Sequence, residues 1–301
     1  PMKGKGVNDA AHRVKAMLLM ADRLTRVADS MRNQVNAVKL QSLAVLPGPR
    51  RDDPPAAPKE DPVEEGTELV LRNLATGEQT SYKLVSEYFF NKKGNVLIVE
   101  TTKKNNETGS KASVVRVDLL NNKTTTIFNG FNDAKGYRLD EEGTQVAFVA
   151  ERDSSAKSLQ KFYKLYYHKQ GADSAVLIAD RNTKGLAADW TVSENANITF
   201  SKSGKRLFVG TVVILPVKDT TLPDFDRVSV DVWHYNDDYI QPVQLKNLDN
   251  ELKRNYPARV DLGAKQLVQL GNEKFRNAIF TKEGDGDVFY ASSDFGKRIA
   301  S

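Results

Sequence analysis

The sequence predicts a mainly β chain: a partial β-propeller of four-stranded blades, about four to five of them, preceded by one long N-terminal α-helix. Three observations lead there. A glycine-centred hairpin pattern occurs four times, a second hairpin pattern alternates with it, and the first 46 residues carry a helical period instead.

The four glycine hairpins are YFFNKKGNVLIV (Tyr88–Val99), YRLDEEGTQVAFV (Tyr137–Val149), ITFSKSGKRLFVG (Ile198–Gly210) and AIFTKEGDGDVFY (Ala278–Tyr290). Counting from the central glycine, apolar residues recur at −6, −4, +3 and +5. They are Tyr88, Phe90, Leu97, Val99, then Tyr137, Leu139, Val146, Phe148, then Ile198, Phe200, Leu207, Val209. A period of two on either side of a polar, glycine-bearing turn is a β-hairpin. The fourth copy keeps Phe280 but slips by one residue after Gly284, which would put Val288 and Tyr290 on the same face, with Gly286 as a bulge that absorbs the slip.

The second hairpin type reads LVLRNLATGEQTSYKL (Leu69–Leu84), VVRVDLLNNKTTTIF (Val114–Phe128) and ARVDLGAKQLVQL (Ala258–Leu270). Two aromatic-rich relatives are KLYYHKQGADSAVLI (Lys164–Ile178) and DVWHYNDDYIQPVQL (Asp231–Leu245). One hairpin of each type makes a four-stranded sheet, and radial repetition of such sheets leaves only short protected edges. The repeat glycines lie 49, 61 and 80 residues apart, so the later spacings call for insertions. ERDSSAKSLQ (Glu151–Gln160) and VKDTTLPDFDR (Val217–Arg227) are polar enough to be such loops, and NLDNELKRNY (Asn247–Tyr256) reads as a helical turn. SSDFGKRIAS directly follows a hairpin with no closing strand, as in part of a larger object.

Residues 1–46 are expected to form an amphipathic helix. Met17, Leu24, Met31 and Val38 fall seven apart, with Met20, Val27 and Val35 between them. Residues 47–65, opening with PGPRRDDPPAAP, are a Pro-rich charged linker, and 66–301 the propeller segment. A lone helix cannot bury its own stripe, so the seam is expected to meet another copy, another protein or the propeller.

Composition limits the function classes. In 301 residues, 44 are basic and 39 acidic, giving a net charge of +5 from interspersed charges, and 40% are apolar, with a mean hydropathy of −0.50. No transmembrane segment is expected, and no signal-peptide apolar region opens the sequence. Pro1 ahead of Met2 reads as a protease-site scar, which would leave any address signal outside this sequence. Basic residues concentrate only in the first 51, where a solvated helix surface is preferred to nucleic-acid binding. Cysteine is absent, which excludes disulfides, thiolate metal sites and cysteine nucleophiles.

The remaining candidate residues read as structure. The histidines are His12, on the expected helix, and His168 and His234, each in a repeat hairpin. Glu64-Glu65 and Glu141-Glu142 are adjacent acidic pairs in polar turns. Glu283–Asp287 (EGDGD) lacks the ligand sequence of a calcium loop and reads as a tight turn. Trp190, Trp233, Tyr163, Tyr166 and Tyr167 sit at strand spacing, which favours packing over a sugar- or peptide-binding groove. GKG near the N-terminus lacks the spacing and the preceding strand of a phosphate loop. No catalytic, cofactor-binding or metal residue is expected, and substrate-binding residues are unassigned.

The phrases GTELVLRNLATGEQTSYKLVSEYFFNKKGN, FYKLYYHKQG, WTVSENANITFSKSGKRLFVGT and DVWHYNDDYIQPVQLKNLDNELKR, in that order, resemble the propeller of prolyl oligopeptidase-family serine peptidases of the large Bacteroidetes-type form. The resemblance runs from about Gly66 to the C-terminus; residues 1–60 do not share it. It implies a periplasmic peptidase whose α/β-hydrolase domain carries a Ser-Asp-His triad, with the propeller limiting entry to short peptides. It also implies that some members hold the substrate amine with a Glu-Glu pair on the propeller. The nucleophile pattern G-x-S-x-G occurs nowhere in these residues. This chain alone is therefore expected to be inactive, with the hydrolase domain, peptides, and a copy or protein bound by the N-terminal helix as partners. The other reading is a stand-alone binding propeller whose helix recruits a protein.

Overall fold

The computed structural model describes residues 62–155, 158–217, 221, 234, 237 and 239–294. The chain divides into two units, Pro1–Lys59 and Glu60–Ser301. The expected helix, the linker up to residue 61, His12, Trp233 and nearly all of the Val217–Arg227 loop lie outside the described residues.

Three antiparallel sheets and a final hairpin follow one another along the second unit, where four to five blades are expected. The first sheet orders β1 (Thr67–Arg72), β2 (Gln79–Phe90), β3 (Val96–Thr101), β4 (Ser113–Asp118) and β5 (Lys123–Asn129). The second orders β6 (Asp133–Leu139), β7 (Gln145–Glu151), β8 (Lys164–Lys169) and β9 (Val176–Ala179). In the third, β10 (Trp190–Val192) and β11 (Thr199–Phe200) both pair with β12 (Arg206–Val213), followed by β13 (Tyr256–Asp261) and β14 (Gln266–Gln269). Last come β15 (Ile279–Phe280) and β16 (Phe289–Tyr290), joined through a 3₁₀ turn at Lys282–Gly284.

Each complete sheet is thus a leading glycine hairpin and a trailing hairpin, joined where β3 meets β4, β7 meets β8 and β12 meets β13. The four repeat glycines all have positive φ: 69° at Gly94, 74° at Gly143, 68° at Gly204 and 93° at Gly284. The chain begins, however, on a trailing hairpin (β1 with the first half of β2) and ends on a leading one. β2 serves both kinds: residues before Val85 pair with β1 and residues after it with β3, across a break marked by Leu84 at φ 58°.

Packing explains the middle strands. β3, β7 and β12 read VLIV, VAFV and LFV, with both faces buried: β7 lies between the first and third sheets, β3 between the second sheet and the β1–β2 hairpin, and β12 between the second sheet and the last hairpin. Val96, Ile98, Val114, Ile127 and Phe128 of the first sheet interlock with Tyr137, Val146, Phe148 and Tyr166 of the second. Ala147, Val149 and Leu165 of the second meet Ile198, Leu207 and Val209 of the third. The second and third apolar sets named from the sequence therefore each fall in one cluster.

The other two sets differ from expectation. Leu97 and Val99 are buried under Leu69, Leu71 and Tyr82, but Tyr88 and Phe90 are 54% and 47% exposed. In the fourth hairpin Phe280 pairs with Phe289, five residues past Gly284, where Leu97 lies three past Gly94. The slip is two residues, so alternation is kept: Phe289 joins Phe280 against Phe208, while Val288 and Tyr290 point away. Gly286 lies in the widened turn, its N–H donating to the Thr281 carbonyl. The hairpin expected over Asp231–Leu245 is also corrected. Residues Gln241–Leu252 form helix α1, with Pro242 in its first turn, where the missing N–H is harmless.

Candidate functional site

The glycine turns bring the tips of the leading hairpins side by side, and their charges alternate. Lys92 and Lys93 of the first turn pair with Glu141 (3.5 Å) and Glu142 of the second. Glu141 also pairs with Lys202 of the third turn at 2.9 Å, and Lys202 reaches Glu283 of the fourth at 3.7 Å. The third and fourth turns are tied further: the Ser203 N–H and hydroxyl donate to Asp285 at 2.8 and 2.7 Å. Arg206 donates to the Gly286 carbonyl at 2.7 Å and to Asp287 at 2.6 Å. These partners hold the carboxyls of Glu141, Asp285 and Asp287 below the usual range. The acidic run Glu283–Asp287 is therefore a clamp between hairpins.

Beside this row opens a cleft of about 510 Å³ between the second sheet, the third sheet and the last hairpin. Leu139, Ile198, Phe200 and Phe280 give it an apolar floor; Arg138, Glu141, Lys202 and Glu283 give it a charged rim. Arg138 is exposed. A smaller cleft of about 300 Å³ lies by Glu151, Lys164, Asp180 and Arg181. Apolar floor and mixed-charge rim suit a short amphiphilic ligand held by burial and oriented by its ends.

Away from the glycine turns, the sheets share a polar network. Tyr137 donates to Glu100 Oε2 at 2.6 Å and Ser86 to Oε1 at 2.8 Å. Burial pushes the Glu100 carboxyl above its ordinary value, although both hydrogen bonds oppose the shift. Burial and the neighbouring Glu100 raise the Tyr137 hydroxyl well above its own. Next to it Lys135 bridges Asp133 and Glu194 at 3.0 Å each, and Tyr163 donates to Asp133. Burial would lower the Lys135 ammonium, but its partners more than offset this and its proton is held tightly. At the end of β7 the buried Glu151 accepts from the N–H groups of Asp153 and Ser154 and from Asn132. Those bonds outweigh burial and keep its carboxyl low.

The structure disperses the other sequence candidates. Glu65 accepts from the Asn105 N–H at 2.6 Å, remote from the cleft in sequence and in its contacts, and Glu64 is exposed. Tyr166 is buried against Phe128, with ring centres 4.4 Å apart; Tyr167 donates to Gln145; Trp190 packs on Tyr256. These rings pack between strands, whereas Tyr163 lines the cleft of about 300 Å³. His168 is 2% exposed, with Nε2 held 2.9 Å from the Ala172 carbonyl. Burial, with Arg116 nearby, lowers its pKa, and no serine hydroxyl is bonded to it among the described residues. The His234 N–H bonds to Asp237. Among the described residues no group of three or more acidic or histidine side chains could hold a metal ion. No described helix is long and apolar enough to cross a membrane.

The Glu100–Tyr137 and Asp133–Lys135–Glu194 groups escaped the sequence reading because their members are up to 59 residues apart and sit on different sheets. The one signal available was Glu100, a charge at the end of an otherwise apolar strand.

No protein-family model matches the chain, and no curated protein matches it in sequence. Among solved structures it is similar to a prolyl endopeptidase at 12% identity and a TM-score of 0.40, over 77% of this chain and 30% of that one. It is similar to dipeptidyl peptidase 4 of Porphyromonas gingivalis at 13% identity and a TM-score of 0.38, over 74% and 33%. It is similar to TolB from Acinetobacter baumannii at 14% identity and a TM-score of 0.34, over 75% and 46%. The chain spans less than half the length of each of these structures. Likenesses this loose leave the architecture to be read from strand pairing itself.

Proposed function

We propose that this chain is the non-catalytic propeller portion of a prolyl-oligopeptidase-like serine peptidase, of the Bacteroidetes-type form and periplasmic, which binds and admits short peptides to a hydrolase domain carried elsewhere. The observation that carries the reading is where the resembling phrases fall. GTELVLRNLATGEQTSYKLVSEYFFNKKGN spans β1 and β2, FYKLYYHKQG leads into β8, and WTVSENANITFSKSGKRLFVGT spans β10 to β12, so three of the four family-like segments carry strands that build the sheets, while the fourth runs into helix α1. The cleft beside Arg138, Phe200 and Phe280 supports a docking role, since its floor can bury an apolar side chain while its rim meets peptide termini. His168 supports a role without chemistry, because its Nε2 is engaged by a backbone carbonyl and its ring is enclosed.

The test is fluorophosphonate labelling of the purified chain together with a binding titration of short proline-containing peptides. No labelled serine, and peptide binding weakened several-fold by Arg138→Glu, are expected. Labelling at a single serine, abolished by replacing it, overturns the reading, as does binding indifferent to Arg138.

A further inference from the structure

Taking the cleft beside the glycine turns as the peptide-docking site proposed above, we propose that it receives the C-terminal end of the peptide. The free carboxylate pairs with Arg138, and an apolar last side chain is buried against Leu139, Ile198, Phe200 and Phe280. The charges on the rim decide the direction. Glu141 is held by Lys92 at 3.5 Å and by Lys202 at 2.9 Å, and Lys202 also meets Glu283 at 3.7 Å. Asp140 is buried and accepts from the Gln145 N–H at 2.9 Å and the Thr144 hydroxyl at 2.7 Å. Arg138 is exposed and, among the described residues, has neither a hydrogen bond nor a carboxylate partner. Among the described lining residues it is thus the charge left without a partner, and it is positive.

Position in the repeat points the same way. Five residues before the repeat glycines stand Phe89, Arg138, Thr199 and Ile279. Strand pairing places them alike, opposite Ile98, Ala147, Phe208 and Tyr290. The first and last are apolar. The two polar ones both line the cleft, and the Thr199 hydroxyl, like Arg138, is unbonded among the described residues. A bulge between Lys135 and Arg138, with Gly136 at φ 67°, immediately precedes the arginine, the device by which a strand re-aims a side chain. A guanidinium set in such a row with no partner of its own serves a ligand rather than the fold. A C-terminal residue suits both halves of the cleft, since its carboxylate and its side chain leave the same Cα. The guanidinium grips that carboxylate through two parallel N–H bonds. An aspartate or glutamate side chain offers the anion without the apolar group. The ammonium end finds no unpaired carboxylate on the described rim and is left to solvent.

Calorimetric titration of the full chain with the tripeptide Gly-Pro-Phe, as free acid, as C-terminal amide and in N-acetylated form, tests the direction. Amidation should weaken binding about tenfold or more, since it removes a charged hydrogen-bonded pair. N-acetylation should change it little, and Gly-Pro-Gly should bind more weakly than Gly-Pro-Phe for want of the buried ring. In Arg138→Gln the acid should fall to the affinity of the amide while the amide keeps its own, and Arg138→Lys should restore part of the difference. Arg138 is exposed, so circular dichroism of both variants should match the unmodified chain. Equal binding of acid and amide by the unmodified chain overturns the proposal, and leaves peptide docking standing where Arg138→Glu still weakens both. A preference for the acid that survives Arg138→Gln also overturns it, as does a larger loss on N-acetylation than on amidation. Absence of binding by every peptide overturns it together with the docking role.

Discussion

Gly94, Gly143 and Gly204 share a backbone conformation, with φ between 68° and 74°, yet have different surroundings, so alanine at each separates strain from contact. A Cβ in the left-handed region adds roughly 1–2 kcal/mol of strain, partly offset by about 0.4–1 kcal/mol from the stiffer unfolded chain. At Gly94 a Cβ meets nothing within 4 Å, so Gly94→Ala should cost about 1 kcal/mol from the backbone alone. At Gly204 it comes 2.4 Å from Gln145 Nε2, the far end of a flexible, part-buried side chain that can swing aside only by giving up its bonds to Asp140 at 3.1 Å and from Tyr167 at 2.6 Å. At Gly143 it falls 2.6 Å from Asn91 Nδ2 and 3.1 Å from both Asn91 Cγ and Val96 Cγ2. Asn91 is 6% exposed, and its Oδ1 accepts from the N–H groups of Asn95 and Val96, both at 3.0 Å. Displacing it strands a buried N–H, a further penalty of about 1–3 kcal/mol. Gly143→Ala should therefore lose about 2–4 kcal/mol in all. For a unit of this size each kcal/mol moves Tm by roughly 2–4 °C. Thermal melts followed by circular dichroism should rank the losses Gly143 above Gly204 above Gly94, with Lys202→Ala, on the wet side of its turn, near neutral. Equal shifts for Gly94→Ala and Gly143→Ala would refute the account of packed turns.

Glu100 has a folded pKa above its ordinary value, so its contribution is full below the unfolded value of 4.5 and lost as pH rises through the folded one. The unmodified chain should accordingly gain stability relative to Glu100→Gln as pH falls from 7 towards 4.5 in paired urea titrations; a relative loss would contradict the burial assigned to Glu100. His168 has the opposite sign: its depressed pKa means its contribution holds above the ordinary 6.5 and disappears as pH falls through the folded value. An NMR titration of the His168 ring should give a midpoint below 6.5, and one at or above it would contradict the enclosed site.

The sequence by itself determined the hairpins. Glycine flanked by alternating apolar residues leaves the backbone little choice, because positive φ is cheap only there and the period of two fits only a strand. Gly94, Gly143, Gly204 and Gly284 all adopt that geometry, and the alternation of hairpin types carried through to whole sheets. The sequence misjudged the segment at Gln241, where apolar residues before Leu252 looked like the second strand of a hairpin and are helical; the two periods are hard to separate over so few residues. It also misplaced Val288 and Tyr290, since the width of a turn is set by its hydrogen bonds and not by its spacing. Tertiary structure alone decided which hairpins share a sheet, that Lys92, Glu141, Lys202 and Glu283 form one row, and that Glu100 lies under Tyr137. Those contacts join residues 37 to 81 positions apart, and no local pattern records a distance that stacking of whole sheets creates.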